Sequence, residues 1–93
     1  MRIVGYIEHP SLKITVFQMD NKMSIKFETG MYEQTYKFRN MDELKSMEDL
    51  KKLVSGDFVN NVLQEFQRMH KIKNDALEVF LPQEEDEEFE EII

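Results

Sequence analysis

The sequence contains no cysteine, no tryptophan, only two prolines and only three glycines. Without cysteine the chain has no disulfide bond, no thiolate metal site and no cysteine nucleophile. The three glycines, Gly5, Gly30 and Gly56, are isolated, so no glycine-rich loop can hold a phosphate group. No apolar run approaches the roughly 18–20 residues that a membrane-spanning helix needs. These absences exclude cysteine-based sites, glycine-rich phosphate-binding loops and membrane-spanning helices.

Catalytic and metal-binding patterns are also missing. The two histidines, His9 and His70, stand in a predicted turn and on a predicted helix, and neither has a nucleophile motif beside it. The spacings typical of a histidine metal site or of a calcium loop do not occur. We therefore expect a protein that is not an enzyme, with no catalytic residues, no cofactor and no bound metal.

The charge is concentrated at one end of the chain. The net charge is −7, yet residues 83–93 alone hold seven acids and no base, which leaves 12 acids against 12 lysines and arginines in the rest. This contrast predicts one domain over residues 1–82 and an acidic, disordered tail over residues 83–93. The N-terminus does not resemble a signal peptide, so we expect a cytoplasmic protein with no membrane partner.

Four segments of the chain alternate between apolar and polar side chains, which predicts β-strands at residues 2–8, 12–19, 23–29 and 32–39. The alternation is strict in the third segment, as a half-buried strand requires. Turn residues separate neighbouring segments. The pattern predicts a four-stranded antiparallel meander with one apolar face.

The turn predicted at Asp20-Asn21 fixes the register of the second and third strands, because both residues tolerate the positive φ of a two-residue hairpin turn. It pairs Val16 with Ile25 on the inner face, and it pairs Lys13 with Glu28 on the outer face. A slip by one residue would reverse the faces. The inner face then holds Leu12, Ile14, Val16, Met23, Ile25, Phe27, Tyr32, Tyr36 and Phe38.

Helical spacing of apolar residues predicts two helices after the sheet, at residues 47–54 and 58–71. Ser46 and Asp49 form the capping box of the first helix. Gly56 is expected to end this helix as a left-handed C-cap, and Asp57 to be the N-cap of the second. The second helix should cover the inner face of the sheet with Phe58, Val59, Val62, Leu63, Phe66, Met69 and His70.

Residues 76–82 leave three alternatives open. The run from Ala76 to Leu81 alternates only partly before Pro82, so it could be a short fifth strand, a last helical turn or an arm that reaches a partner. The fold expected is therefore α+β: a four-stranded antiparallel meander with two C-terminal helices on one face, an optional fifth strand and a disordered acidic tail. The candidate interaction arm consists of Leu77, Val79, Phe80 and Leu81.

The outer face of the sheet is the candidate interaction face. Basic groups among exposed rings are typical of surfaces that bind single-stranded nucleic acid. The other interpretation is that a homodimer partner or residues 76–82 cover its apolar side chains. Glu8, Glu28 and Glu33 weaken the positive charge of this face. The face consists of Tyr6, Lys13, Phe17, Met19, Lys22, Lys26, Lys37 and Arg39, with Val4 and Met31 expected beside them.

We expect a small non-enzymatic protein-interaction or regulatory module that binds itself as a homodimer or binds another protein. The alternative is a single-stranded nucleic-acid-binding module whose basic and aromatic face is masked by the acidic tail. Phe89, Ile92 and Ile93 lie among the acids and could dock on a basic and apolar groove, in the same copy or in a partner. The element order over residues 2–71 resembles that of Whirly and Pur-type modules, which implies binding of single strands.

Overall fold

The computed structural model describes residues 1–82. Four strands are followed by two helices, and the strands form one antiparallel sheet in the order β1-β2-β3-β4. The predicted α+β class is confirmed, while the disordered tail predicted for residues 83–93 lies outside the described residues. The elements are β1 (Arg2–Ile7), β2 (Lys13–Met19), β3 (Lys22–Thr29), β4 (Tyr32–Arg39), α1 (Met47–Leu53) and α2 (Gly56–Phe80).

The register predicted for β2 and β3 is confirmed. Val16 pairs with Ile25 and Lys13 pairs with Glu28. The connecting turn holds Asp20 at a φ of 34°, a left-handed conformation that aspartate tolerates better than most residues. The inner face forms the core of the molecule, with six buried side chains from β3 and the segment that includes β2: Leu12, Ile14, Val16, Met23, Ile25 and Phe27.

β1 departs from simple alternation at Val4. Ile3 pairs with Phe17 and Gly5 pairs with Val16, so Val4 is the extra residue of a β-bulge. Val4 packs against the core, whereas Ile3 is 51% exposed on the outer face. The expectation that Val4 lies on the outer face is therefore wrong, because the bulge shifts the alternation by one residue.

The helices cover the inner face of the sheet. Phe58 of α2 packs edge-on against the rings of Phe27 and Tyr36, and both pairs of ring centroids are 5.3 Å apart. The side chain of Gln34 in β4 donates a hydrogen bond of 3.0 Å to the carbonyl of Val62. These contacts fix α2 along β4. The buried helix residues are Leu50 of α1 and Val59, Val62 and Phe66 of α2.

The capping box of α1 forms as predicted. The Asp49 N–H donates to the hydroxyl of Ser46 at 3.2 Å, and the Asp49 carboxylate accepts from the N–H groups of Lys45 and Ser46 at 3.1 and 3.2 Å. The bond from Lys45, followed by those with Ser46, lowers the pKa of Asp49 below its ordinary value.

The link between the two helices differs from the prediction at Gly56 and Asp57. Val54 is the C-cap of α1 with a φ of −79°, and Ser55 is the extended N-cap of α2. Gly56 is therefore the first residue of α2 and has no left-handed conformation, because a two-residue link leaves no position for such a cap. Asp57 lies in the first turn of α2, where its charge favours the helix dipole.

α2 ends at Phe80 rather than at Lys71. Residues 76–80 are its last turns, so the helical alternative holds for them and the fifth strand does not form. Lys71 and Asp75 form an ion pair of 2.7 Å one turn apart, which supports the helix across the polar segment that was expected to end it. Leu81, the C-cap, is extended, as a residue before proline prefers.

Replacing Ser46 with alanine should lower the free energy of unfolding by about 1 kcal/mol, because it removes the side-chain half of the capping box. Ser55→Ala is the matched control: Ser55 is also an N-cap, but its side chain makes no capping hydrogen bond. Urea titration of both variants measures the difference. Equal losses in the two variants would contradict the role assigned to Ser46.

Candidate interaction surfaces

The outer face of the sheet brings together cross-strand neighbours from all four strands. In one row Ile3 lies beside Phe17, which lies beside Ser24, which lies beside Lys37. Ile3 joins this face because of the bulge at Val4. The registers place on the same face all eight residues of the candidate interaction face: Tyr6, Lys13, Phe17, Met19, Lys22, Lys26, Lys37 and Arg39. Met31 lies beyond the sheet, in the β3–β4 turn, and is 84% exposed.

On the outer face, a pair of acidic residues and a pair of basic residues lie at opposite ends of the β3–β4 ladder. At one end Glu28 lies opposite Glu33, and the Lys26 ammonium is 3.8 Å and 3.7 Å from their carboxylates. At the other end Lys22 lies opposite Arg39. We call these the acidic end and the basic end of the face.

The basic end, defined by Lys22, Lys37 and Arg39, lacks acidic partners. None of these three side chains forms an ion pair with any acid among residues 1–82. Like charges directly opposite each other destabilise a sheet, so the pair of Lys22 and Arg39 carries an electrostatic cost. An anion bound at this end would remove that cost.

A groove of about 360 Å³ opens on the outer face beside the basic end. Its apolar side chains are accompanied by two lysines, and Lys37 belongs to both the groove and the basic end. The Lys26 ammonium lies 5.9 Å from the centre of the Phe17 ring, which is a cation–π distance. The groove can therefore receive an apolar side chain whose neighbours are negatively charged. It is lined by Met1, Phe17, Met19, Ser24, Lys26, Thr35 and Lys37.

The second surface is the end of α2, which extends past the sheet. The last contacts with the sheet are made near Tyr32, the first residue of β4: His70 Nδ1 is 2.7 Å from the Tyr32 hydroxyl, and the Lys73 ammonium is 5.4 Å from the Tyr32 ring centre. Every residue from 70 to 80 is exposed. We call residues 74–80 the α2 extension.

The apolar stripe of α2 continues into this extension. Met69, Ala76 and Phe80 follow the buried Phe66 on the same side of the helix, at successive spacings of three, seven and four residues. Leu77 and Phe80 thus prolong the face that covers the sheet. The exposed fractions are 55% for Ile72, 40% for Leu77, 88% for Val79, 83% for Phe80 and 44% for Leu81.

The four residues of the candidate interaction arm therefore lie in the last turn of α2 and its cap, with Leu77 and Val79 on opposite sides of the helix. Ile72 lies on the same side of α2 as Ala76 and Phe80 but is not among the residues predicted from the sequence. Its spacing of four residues from Ala76, and of eight from Phe80, is the signal that could have found it.

Both histidines have structural partners. His9 Nδ1 accepts a hydrogen bond of 3.1 Å from the N–H of Ser11. His70 lies between the Tyr32 hydroxyl and the side chain of Asn74, whose nitrogen is 3.1 Å from His70 Nε2. Within residues 1–82, no group of three histidines, aspartates or glutamates is close enough to hold a metal ion. In the same part of the chain no helix is long and apolar enough to cross a membrane.

Comparisons with known proteins give no further indication of function. No family model matches the chain, and neither a curated protein nor a solved structure matches it. The geometry of the two surfaces is therefore the basis for assigning a function.

Hydrogen exchange should divide α2 into two parts in dilute solution. Amides of residues 62–69 should exchange slowly, because this part is packed on the sheet. Those of residues 77–80 should exchange much faster, because they form an exposed helix end beyond the sheet. Mass spectrometry at low protein concentration measures both. Equal protection of the two parts at the lowest concentration would contradict the view that residues 77–80 are less stable than the part of α2 packed on the sheet.

Proposed function

We propose that this protein is a non-enzymatic interaction module that acts as a homodimer, in which the α2 extensions of two copies pack against each other. The observation that carries the proposal is the apolar stripe of α2, which continues from the sheet into solvent. Phe80, at its end, is 83% exposed, and Val79 beside it is 88% exposed. Because the chain has no cysteine that would need an oxidising compartment, we propose that the dimer acts in the cytoplasm.

The energetics favour a partner for the extension. Burying one large apolar side chain contributes about 1.5–3 kcal/mol. Val79 and Phe80 of the extension lie on one side of α2 with Ile72, at spacings of seven and eight residues, so one partner can bury all three. An isolated helical segment of two turns is barely stable in water. Pairing with a second copy would bury the apolar face and would also stabilise the helix that carries it.

An antiparallel pairing of two extensions suits the sequence. Ala76 has the smallest side chain of the apolar face and lies midway between Ile72 and Phe80, so two helices can approach closely at this point. Phe80 of one copy then packs near Ile72 of the other, as two-fold symmetry requires. The antiparallel arrangement also opposes the two helix dipoles and keeps the two sheets at opposite ends. Polar residues such as Lys71 and Asp75 remain on the outside.

Replacing Phe80 with lysine should weaken self-association at least tenfold, because it places a charge at the most exposed part of the apolar face. Gln67→Lys is the matched control, since Gln67 is an exposed residue on the polar side of α2. Its dissociation constant should change less than twofold. Sedimentation equilibrium over a range of concentrations measures both variants.

A monomeric wild-type protein at high concentration would refute the proposed dimer. So would a Phe80→Lys variant that associates as tightly as the wild type, because the interface would then lie elsewhere. Circular dichroism of each variant verifies that the sheet and α2 remain folded.

A second candidate function is the binding of single-stranded nucleic acid to the outer face. It is supported by the basic end, whose cations have no acidic partners among residues 1–82, together with the rings of Tyr6 and Phe17. Lys26 adds less to this surface because Glu28 and Glu33 already hold it.

Titration of a fluorescent single-stranded oligonucleotide at several salt concentrations tests this candidate. If three phosphates are contacted, the logarithm of the affinity should fall with the logarithm of salt concentration with a slope of about −2. The variant with both Lys37→Gln and Arg39→Gln should bind more weakly, and deletion of residues 83–93 should strengthen binding at low salt. Absence of binding with and without residues 83–93 would remove the candidate.

A further inference from the structure

We infer that residues 83–93 of one copy bind the groove and the basic end on the outer face of the second copy. This inference rests on the proposed dimer, because the route of the segment depends on how the two α2 extensions pair. It assigns a binding partner to the outer face of the sheet, which takes no part in the pairing of the two α2 extensions.

The charge and apolar pattern of the segment match the surface. Residues 84–91 contain seven acids and one aromatic residue, Phe89, which has two glutamates on each side. The groove offers apolar side chains to the Phe89 ring, and Lys26 and Lys37 lie beside it. The basic end next to the groove can pair with the flanking carboxylates. Such pairing would remove the repulsion between Lys22 and Arg39, which face each other across β3 and β4.

Within one copy the distance is too long for this contact. Residues 74–80 carry the chain about 10 Å beyond the sheet, and Lys37 lies about 17 Å along β4 from Tyr32 in the other direction. The segment must also pass around the edge strand to the opposite face, across a layer about 10 Å thick. The seven residues after Pro82, up to and including Phe89, span at most about 25 Å. Phe89 therefore falls short of the groove of its own copy.

Charge gives no net attraction along the same route, because Lys26 already pairs with the two carboxylates at its start. The part of the outer face nearest to the α2 extension is the acidic end, because Glu28 and Glu33 lie close to the β3–β4 turn. A segment with seven acids that folded back within its own copy would meet these carboxylates first. The attractive basic end lies at the far side of the sheet.

The second copy removes the obstacle of distance. In the antiparallel pairing Phe80 of one copy lies near Ile72 of the other, which places the following residues beside the first half of the other copy's β4. From there the groove is about 10 Å along the strand, with the edge of the sheet still to be rounded. This distance is within the reach of Phe89. β4 is the edge strand of the sheet, so no further strand blocks the path.

The test uses the full-length protein with a photoreactive p-benzoylphenylalanine in place of Phe89, prepared as an equal mixture of ¹⁵N-labelled and unlabelled copies. Irradiation should join the probe to Phe17 or Met19, and mass spectrometry should find products that combine one labelled with one unlabelled copy. Cross-links only within single copies, or cross-links to another surface, would overturn the inference. The same probe in place of Phe80 reports the α2 pairing separately.

The two probes distinguish failure of the inference from failure of the dimer. Cross-links between copies from position 80 without any from position 89 to the groove would overturn the inference and leave the dimer intact. Absence of cross-links between copies from both positions would overturn both.

Charge reversal on the basic end completes the experiment. The variant with Lys37→Glu and Arg39→Glu should lower the cross-link yield from position 89 at least tenfold and leave the yield from position 80 unchanged. Lys13→Glu is the matched control, because Lys13 lies at the acidic end of the same face, opposite Glu28. It should change the yield from position 89 less than twofold. Equal effects of the two reversals would overturn the inference.

Discussion

The pairing of Val16 with Ile25 at the centre of the sheet determines both faces of the molecule. Both side chains are fully buried, and they lie opposite each other between β2 and β3. A strand has two faces only, so this register gives α2 an apolar surface and at the same time places Phe17 and Lys26 on the other side. A slip by one residue would bury Lys26 against α2. The candidate site on the outer face is therefore a direct consequence of how the core is paired.

Features that depend on neighbouring residues can be predicted from the sequence, and features that depend on distant contacts cannot. The hairpin at Asp20 and the capping box of Ser46 are local, and both form as expected. The bulge at Val4 depends on the partner strand and on α1: it turns Gly5 towards Met47, where a Cβ on Gly5 would lie 3.2 Å from the Met47 methyl group. The alternation of apolar and polar residues in β1 does not indicate that Gly5 lies so close to Met47.

The outer face of the sheet could be predicted from neighbouring residues, whereas the end of α2 could not. Membership of the outer face follows from alternation, so its eight residues could be assigned in advance, apart from Ile3, which the bulge adds. The end of α2 could not, because helix length beyond the sheet depends on the balance between the polar pair Asn74-Asp75 and the helix-favouring residues after it. The separation of charges also needs the β3–β4 register, which sets Glu28 against Glu33 and Lys22 against Arg39.

The two like-charged pairs of the β3–β4 ladder are balanced differently. Lys26 lies close to both Glu28 and Glu33, so the acidic pair is compensated within its own sheet. The pair of Lys22 and Arg39 has no such compensation among residues 1–82, and Lys37 adds a third positive charge beside it. A fold with a neutral body could avoid this cost with one acid on a neighbouring strand, yet none of the 12 acids in residues 1–82 pairs with these cations, and seven further acids follow residue 83. Departures from local consistency are typical of functional surfaces, and here the charge that would restore the balance belongs to the same chain.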